Sequence, residues 1–179
     1  KKILISFEQM AQVLERNGFD AKDRNLFINH TLWNRDGEWI YFFVRAGWKS
    51  DKDGREGLNT ACSIKVDGSQ FIAGHQHIGG HPEWFHGTQI VGSNNNQQVI
   101  YDILQKKIIR SLGNPEIFPK PGGDISLSPN GNWLINGYNN KSGSNFYSIL
   151  NLKTGEWVKT PPFDTGKYKK DLRIDPSPR

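Results

Sequence analysis

Cysteine occurs once in the 179 residues, at position 62, and methionine once, at position 10. A single thiol excludes an internal disulfide and every cysteine-rich metal motif. Its neighbours, Thr60-Ala61-Cys62-Ser63-Ile64, read as a buried strand thiol. No stretch approaches the ~20 apolar residues of a membrane-spanning helix, and no signal peptide is visible. No basic stripe is present either. The formal charge is +5, from 23 basic and 18 acidic residues, and only Lys1-Lys2, Lys106-Lys107 and Lys169-Lys170 are adjacent. Nucleic acid is therefore not the expected partner. Scattered lysines on strands serve solubility and edge protection, and a mild basic excess is compatible with an anionic ligand.

Helical periodicity is scarce. Only the first segment carries it: Ser6 and Gln9 form a capping box, Phe7, Met10, Ala11 and Leu14 share one face, and Gly18 stops the run. A helix over about residues 7–17 is expected, as a packing element. From Leu26 the pattern is β. Strands are expected at 38–44, 59–66, 71–73, 88–93, 97–102, 104–110, 132–138, 145–151 and 156–160. Asn34-Arg35-Asp36-Gly37, Asp67-Gly68-Ser69, Asn94-Asn95-Asn96 and Lys153-Thr154-Gly155 supply turns. Residues 49–57 read as an exposed loop. Residues 114–123, with Pro115, Pro119 and Pro121, read as a linker.

The strands are organised by a repeated phrase. Asn29-His30-Thr31-Leu32-Trp33, Gly80-His81-Pro82-Glu83-Trp84 and Gly123-Asp124-Ile125-Ser126-Leu127 each lead into a Gly-containing turn and an apolar strand. A fourth copy starts at Asp175-Pro176-Ser177-Pro178. His30, His81, Asp124 and Ser177 recur at intervals of 51, 43 and 53 residues. A period near 50 with β-type segments indicates propeller blades. The fold expected is all-β: about three and a half blades of a seven-bladed β-propeller, with one short N-terminal helix. Residues 1–25 form the helix and lead-in, and residues 26–179 the partial propeller. Its blades fall at about 26–73, 74–121 and 122–170, and the next starts at 171–179. With no initiator Met and a last repeat cut after Arg179, a longer protein is expected.

Equivalent positions of successive blades can converge near a common axis, and the chemistry-bearing residues cluster there. Four of five histidines, His75, His77, His81 and His86, lie within twelve positions, and His30 leads the first repeat. Imidazole titrates nearest neutral pH and binds metals. His30 and His81, joined by His77 on an extended segment and by Asp124, are the candidate metal ligands. The alternative is that they bond backbone groups inside the blades. Asp124 either ligates or caps the turn after Gly122-Gly123. Arg45 and Arg55, at a strand end and in the loop beside it, are candidate groups for holding or acting on an anionic substrate. Arg173 in the fourth repeat, Trp48 and Tyr138 are candidate substrate contacts, because guanidinium groups pair with carboxylates and aromatic rings stack on sugars. Trp33 and Trp84 are expected in the core.

The ordered set of Asn-His before the first Trp, Gly-His before the second, and Asp171-Leu172-Arg173-Ile174-Asp175-Pro176-Ser177-Pro178-Arg179 resembles the oligogalacturonate lyase-like β-propellers of bacteria, within the wider TolB-type group. The resemblance covers roughly residues 26–179. It implies a divalent metal, typically manganese, held by histidines at the heads of blades, and β-elimination on acidic oligosaccharides beside a uronate carboxylate. The proton-abstracting residue is not assigned by it, and Arg45 and Arg55 stand as the catalytic candidates. It also implies a secreted or periplasmic location. The family carries His where this chain has Asp124 and Ser177. That departure keeps two other readings open: a non-catalytic TolB-type binding or scaffold propeller, and the propeller portion of a larger hydrolase.

Overall fold

The computed structural model describes residues 2–47, 56–140, 143–165 and 174–178. Among the described residues there are one helix, α1 (Phe7–Arg16), and twelve strands. β1 (Phe27–Trp33), β2 (Trp39–Ala46), β3 (Leu58–Lys65) and β4 (Phe71–His75) form the first sheet. β5 (Gly79–Trp84), β6 (Gln89–Asn94), β7 (Gln97–Asp102) and β8 (Lys107–Leu112) form the second. β9 (Ile125–Leu127), β10 (Trp133–Asn139), β11 (Asn145–Asn151) and β12 (Trp157–Lys159) form the third. Each sheet pairs its strands antiparallel in chain order. A four-stranded meander is the form of a propeller blade, so the chain is all-β, built of blades, with one short helix.

The chain divides into two compact units: residues 1–77 with 103–106, and residues 78–102 with 107–179. In the first unit α1 starts as its capping box dictates. Gln9 N donates to Ser6 Oγ at 3.1 Å and Ser6 N to Gln9 Oε1 at 2.9 Å. Met10 and Leu14 bury against Phe42, Val44, Cys62, Ile64 and Ala73 of the first sheet. Burial pushes the Cys62 thiol up to about 12, so it stays protonated and inert. The turn Ile103–Lys106, between β7 and β8, belongs to this unit: Ile103 is fully buried and Lys106 Nζ donates to the Ala73 carbonyl at 2.9 Å.

In the second unit the core lies between the second and third sheets. Val91, Ile100, Leu112, Ile117 and Phe118 meet Ile125, Leu127, Leu134 and Leu150. Each such side chain contributes roughly 1.5–3 kcal/mol on full burial, which favours close stacking of these sheets. The stacking joins the heads of two strands: His81 of β5 and Asp124, just before β9, form a parallel bridge.

Several strands depart from their expected bounds. β4 runs on to His75, because the imidazole is buried. β8 starts at Lys107, because residues 103–106 form the turn. Trp84 is buried, whereas Trp33 is 61% exposed. β1 is an edge strand paired on one side only, with Phe27 and Ile28 also exposed.

Candidate functional site

The heads of β1 and β5 are both irregular. In β1 the pairing shifts between Asn29 and Leu32, and His30 takes a left-handed conformation, φ 53°. In β5 the shift lies between Gly79 and Glu83, and the left-handed residue is Gly80, φ 73°, with His81 following it. Bulges of this kind re-aim side chains at strand rims. The aligned histidines are thus displaced by one place: His30 occupies the strained position that glycine takes in β5. A non-glycine residue held there costs on the order of 1–3 kcal/mol, and such strain clusters at functional sites.

Within the first unit three expected site residues gather around one ring. His30 meets Phe43 edge-on with ring centroids 6.1 Å apart, His77 lies 5.9 Å from it, and Cζ of Arg45 sits 5.5 Å from its centroid. Arg45 Nε also donates to Asn59 Oδ1 at 2.9 Å, which fixes the guanidinium at the strand end. His75 turns inward instead. Its Nε2 shares a 2.8 Å hydrogen bond with Ser63 Oγ, and its ring stacks on Tyr41. Burial, with the charge of Lys106, lowers His75 from 6.5 to about 4. It is therefore neutral at physiological pH.

This burial has a measurable consequence. A folded value below the unfolded one means that the unfolded chain takes up a proton the native state refuses. The cost is absent above pH 6.5, grows as pH falls towards about 4, and levels off below. At 1.36 kcal/mol per unit, it amounts to about 3 kcal/mol. Denaturant unfolding between pH 7.5 and 4.5 is expected to show this loss in the wild type, and a shallower dependence in His75→Gln. Parallel curves for the two would show that His75 is not the responsible group.

The second unit holds a cleft of about 350 Å³ lined by His81, Lys120, Asp124, Tyr138, Asn139 and Asp175, with backbone of Gly122, Gly123, Gly137 and Pro176. Nδ1 of His81 is hydrogen-bonded to Oδ1 of Asp124, and the His81 side chain is 48% exposed. Asp124 is held by its backbone, whose carbonyl accepts from Gly137 N at 2.7 Å and Asn136 Nδ2 at 3.4 Å. Lys120 Nζ donates to the Asn139 carbonyl at the cleft rim. Tyr138 stacks on Phe146 with centroids 5.5 Å apart, is 6% exposed, and its Oη has no hydrogen-bond partner among the described residues. A buried phenol without a partner is uncommon and calls for an explanation.

The structure thus brings His81, Asp124 and Tyr138 to one cleft, and His30, His77 and Arg45 to one ring of the first sheet. Trp48, Arg55 and Arg173 lie outside the described residues. Among the described residues no three His, Cys, Asp or Glu side chains come together in a way that could hold a metal ion, and Asp124 turns its carboxylate to His81. The residues of the cleft do not fit a metal centre on their own, and no step below is routed through one. Lys120 and Asp175 were not among the expected site residues. The signal for Lys120 is its place in the Pro-Gly linker, four residues before Asp124. A larger hollow of about 970 Å³ runs along α1 and residues 21–26 and holds none of the expected site residues.

No family model matches the chain, and no curated protein matches it. Among solved structures, one similar to it is a Bacteroides uniformis protein provisionally named as a 6-phosphogluconolactonase. The identity is 13% and the TM-score 0.34, with 77% of this chain covered. The match spans 41% of that protein's chain.

Proposed function

We propose that the protein is a lyase-like propeller that cleaves acidic oligosaccharides by β-elimination, with the cleft headed by His81 as its working site. The observation that carries this reading is the His81–Asp124 pair on an accessible cleft. A carboxylate on Nδ1 fixes the tautomer and orientation of an imidazole and stabilises its protonated form, as a general base requires.

In this reading His81 takes the proton from the carbon beside the uronate carboxylate. Electrons of that C–H bond form the new carbon–carbon double bond, and the bond to the glycosidic oxygen breaks. The leaving oxygen takes a proton from water. Lys120 pairs with the uronate carboxylate and stabilises the charge that builds on it. Asp175 and Asn139 offer acceptors to sugar hydroxyls. Such substrates place the protein in the periplasm or outside a bacterial cell.

The test is ultraviolet detection of unsaturated uronate after incubating the full-length protein with pectic, other acidic and neutral oligosaccharides, with and without added manganese. Product from acidic substrates alone is expected, and the manganese arm decides whether a cation is required. No product under any condition would sink the lyase reading. Binding without product would assign the cleft to a non-catalytic propeller.

A further inference from the structure

Beside His81 of β5 and residues 137–139 of β10, two segments outside the named strands line the cleft: residues 120–124, which lead into β9, and residues 175–176. Each hangs from one buried amide. Gln98, fully buried near the head of β7, donates from Nε2 to the Pro121 carbonyl at 2.8 Å. Asn145, 4% exposed at the head of β11, donates from Nδ2 to the Ile174 carbonyl at 3.0 Å. Both carbonyls lie three residues before a repeat-leading residue, Asp124 in one case and Ser177 in the other. The two amides hold the chain at the same distance from the start of a new repeat.

Both amides also carry an orphan. Gln98 Oε1 and Asn145 Oδ1 are buried with no hydrogen-bond partner among the described residues. A buried oxygen without a donor lowers stability, so each amide satisfies a linker carbonyl while leaving its own oxygen unpaired. Packing alone therefore does not account for an amide at either place. What each amide supplies is a fixed point for a Pro- or Gly-rich segment that has no sheet partner of its own at that point.

We propose that Gln98 and Asn145 are positioning residues for the cleft. Gln98 sets where Lys120 and Asp124 stand, and through Asp124 the orientation of His81. Asn145 sets where Asp175 stands. Neither side chain lines the cleft. Their effect on turnover rests on the function proposed above, whereas their effect on His81 does not.

Gln98→Met and Asn145→Leu, made singly in the full-length protein, separate positioning from packing. Three quantities are read: the unfolding midpoint, the imidazole nitrogen signals of His81 by NMR, and affinity for an acidic oligosaccharide, tri-galacturonate. The midpoints are expected to fall by a few degrees, because each substitution takes the donor from a linker carbonyl. In Gln98→Met the Nδ1 signal of His81 moves towards its position in Asp124→Asn. Affinity falls about tenfold or more in both variants, as for displaced contact groups. Midpoints that drop while the His81 signal and the affinity stay put would overturn the proposal and make the amides structural. So would no change in any of the three. Should wild type bind no tri-galacturonate, the function reading falls, and the His81 signal in Gln98→Met alone decides the positioning role.

Discussion

Gly137→Ala is expected to lose at least about 3 kcal/mol of stability, seen as a fall of roughly 6–12 °C in the unfolding midpoint. A Cβ on Gly137 would lie 1.8 Å from the Pro176 carbonyl oxygen, and one on Gly123 would lie 1.8 Å from the Gly137 carbonyl oxygen. These are backbone atoms, so no side chain can swing aside. Gly123, Gly137 and Pro176 are stacked main chain on main chain, and the stack is what lets the two cleft-building segments lie against β10. Gly155→Ala is the control. Gly155 has a positive φ, 78°, which Gly137 does not, but a Cβ there meets nothing within 4 Å, so only the conformational cost of about 1 kcal/mol applies. Equal losses in the two variants, measured by denaturant or thermal unfolding, would show that the close approach at Gly137 is not maintained.

Asp124→Asn is expected to lower turnover of an acidic oligosaccharide by roughly 10²–10⁴-fold with little change in KM. The carboxylate bonds His81, while the strand-forming contacts of this residue come from its backbone carbonyl. The substitution therefore leaves the sheets in place. It replaces the carboxylate at Nδ1 with an amide that can present either end. His81→Gln should lose a similar amount, and the double variant little more than either, because the two groups act as one unit. Lys120→Gln is the contrasting case: under the proposed function it is expected to weaken the hold on the uronate and raise KM. Kinetics by ultraviolet product formation separate these patterns. Additive losses at His81 and Asp124 would mean that the pair does not work together.

The blades were legible because the repeat spacing is a long-range property of the chain that survives local ambiguity. The same spacing put His81 and Asp124 at equivalent positions, and the structure makes those positions the bridged heads of adjacent strands. The capping box at Ser6 and Gln9 was legible because both partners lie within one turn of chain. Other features were not. The extent of β4 was hidden because His75 looks polar in sequence, while Ser63 and Tyr41 make its burial acceptable. Trp33 and Trp84 share a place in the repeat, but a motif gives position along a strand and not what covers it. The displaced register of His30 depends on a bulge one residue shorter than that of β5. Gln98, Lys120 and Asp175 are not legible in the sequence, because their roles depend on where a linker carbonyl is carried in space, and no periodicity records that.

The placement of Ile103–Lys106 with the first unit has a bearing on how the chain can be dissected. The polypeptide leaves that unit at His77, returns for four residues at the tip of a hairpin, and leaves again. No single cut yields the two units intact. A fragment ending at His77 would surrender a wholly enclosed isoleucine and the ammonium group that braces Ala73. Its complement would carry that hairpin tip bare to water.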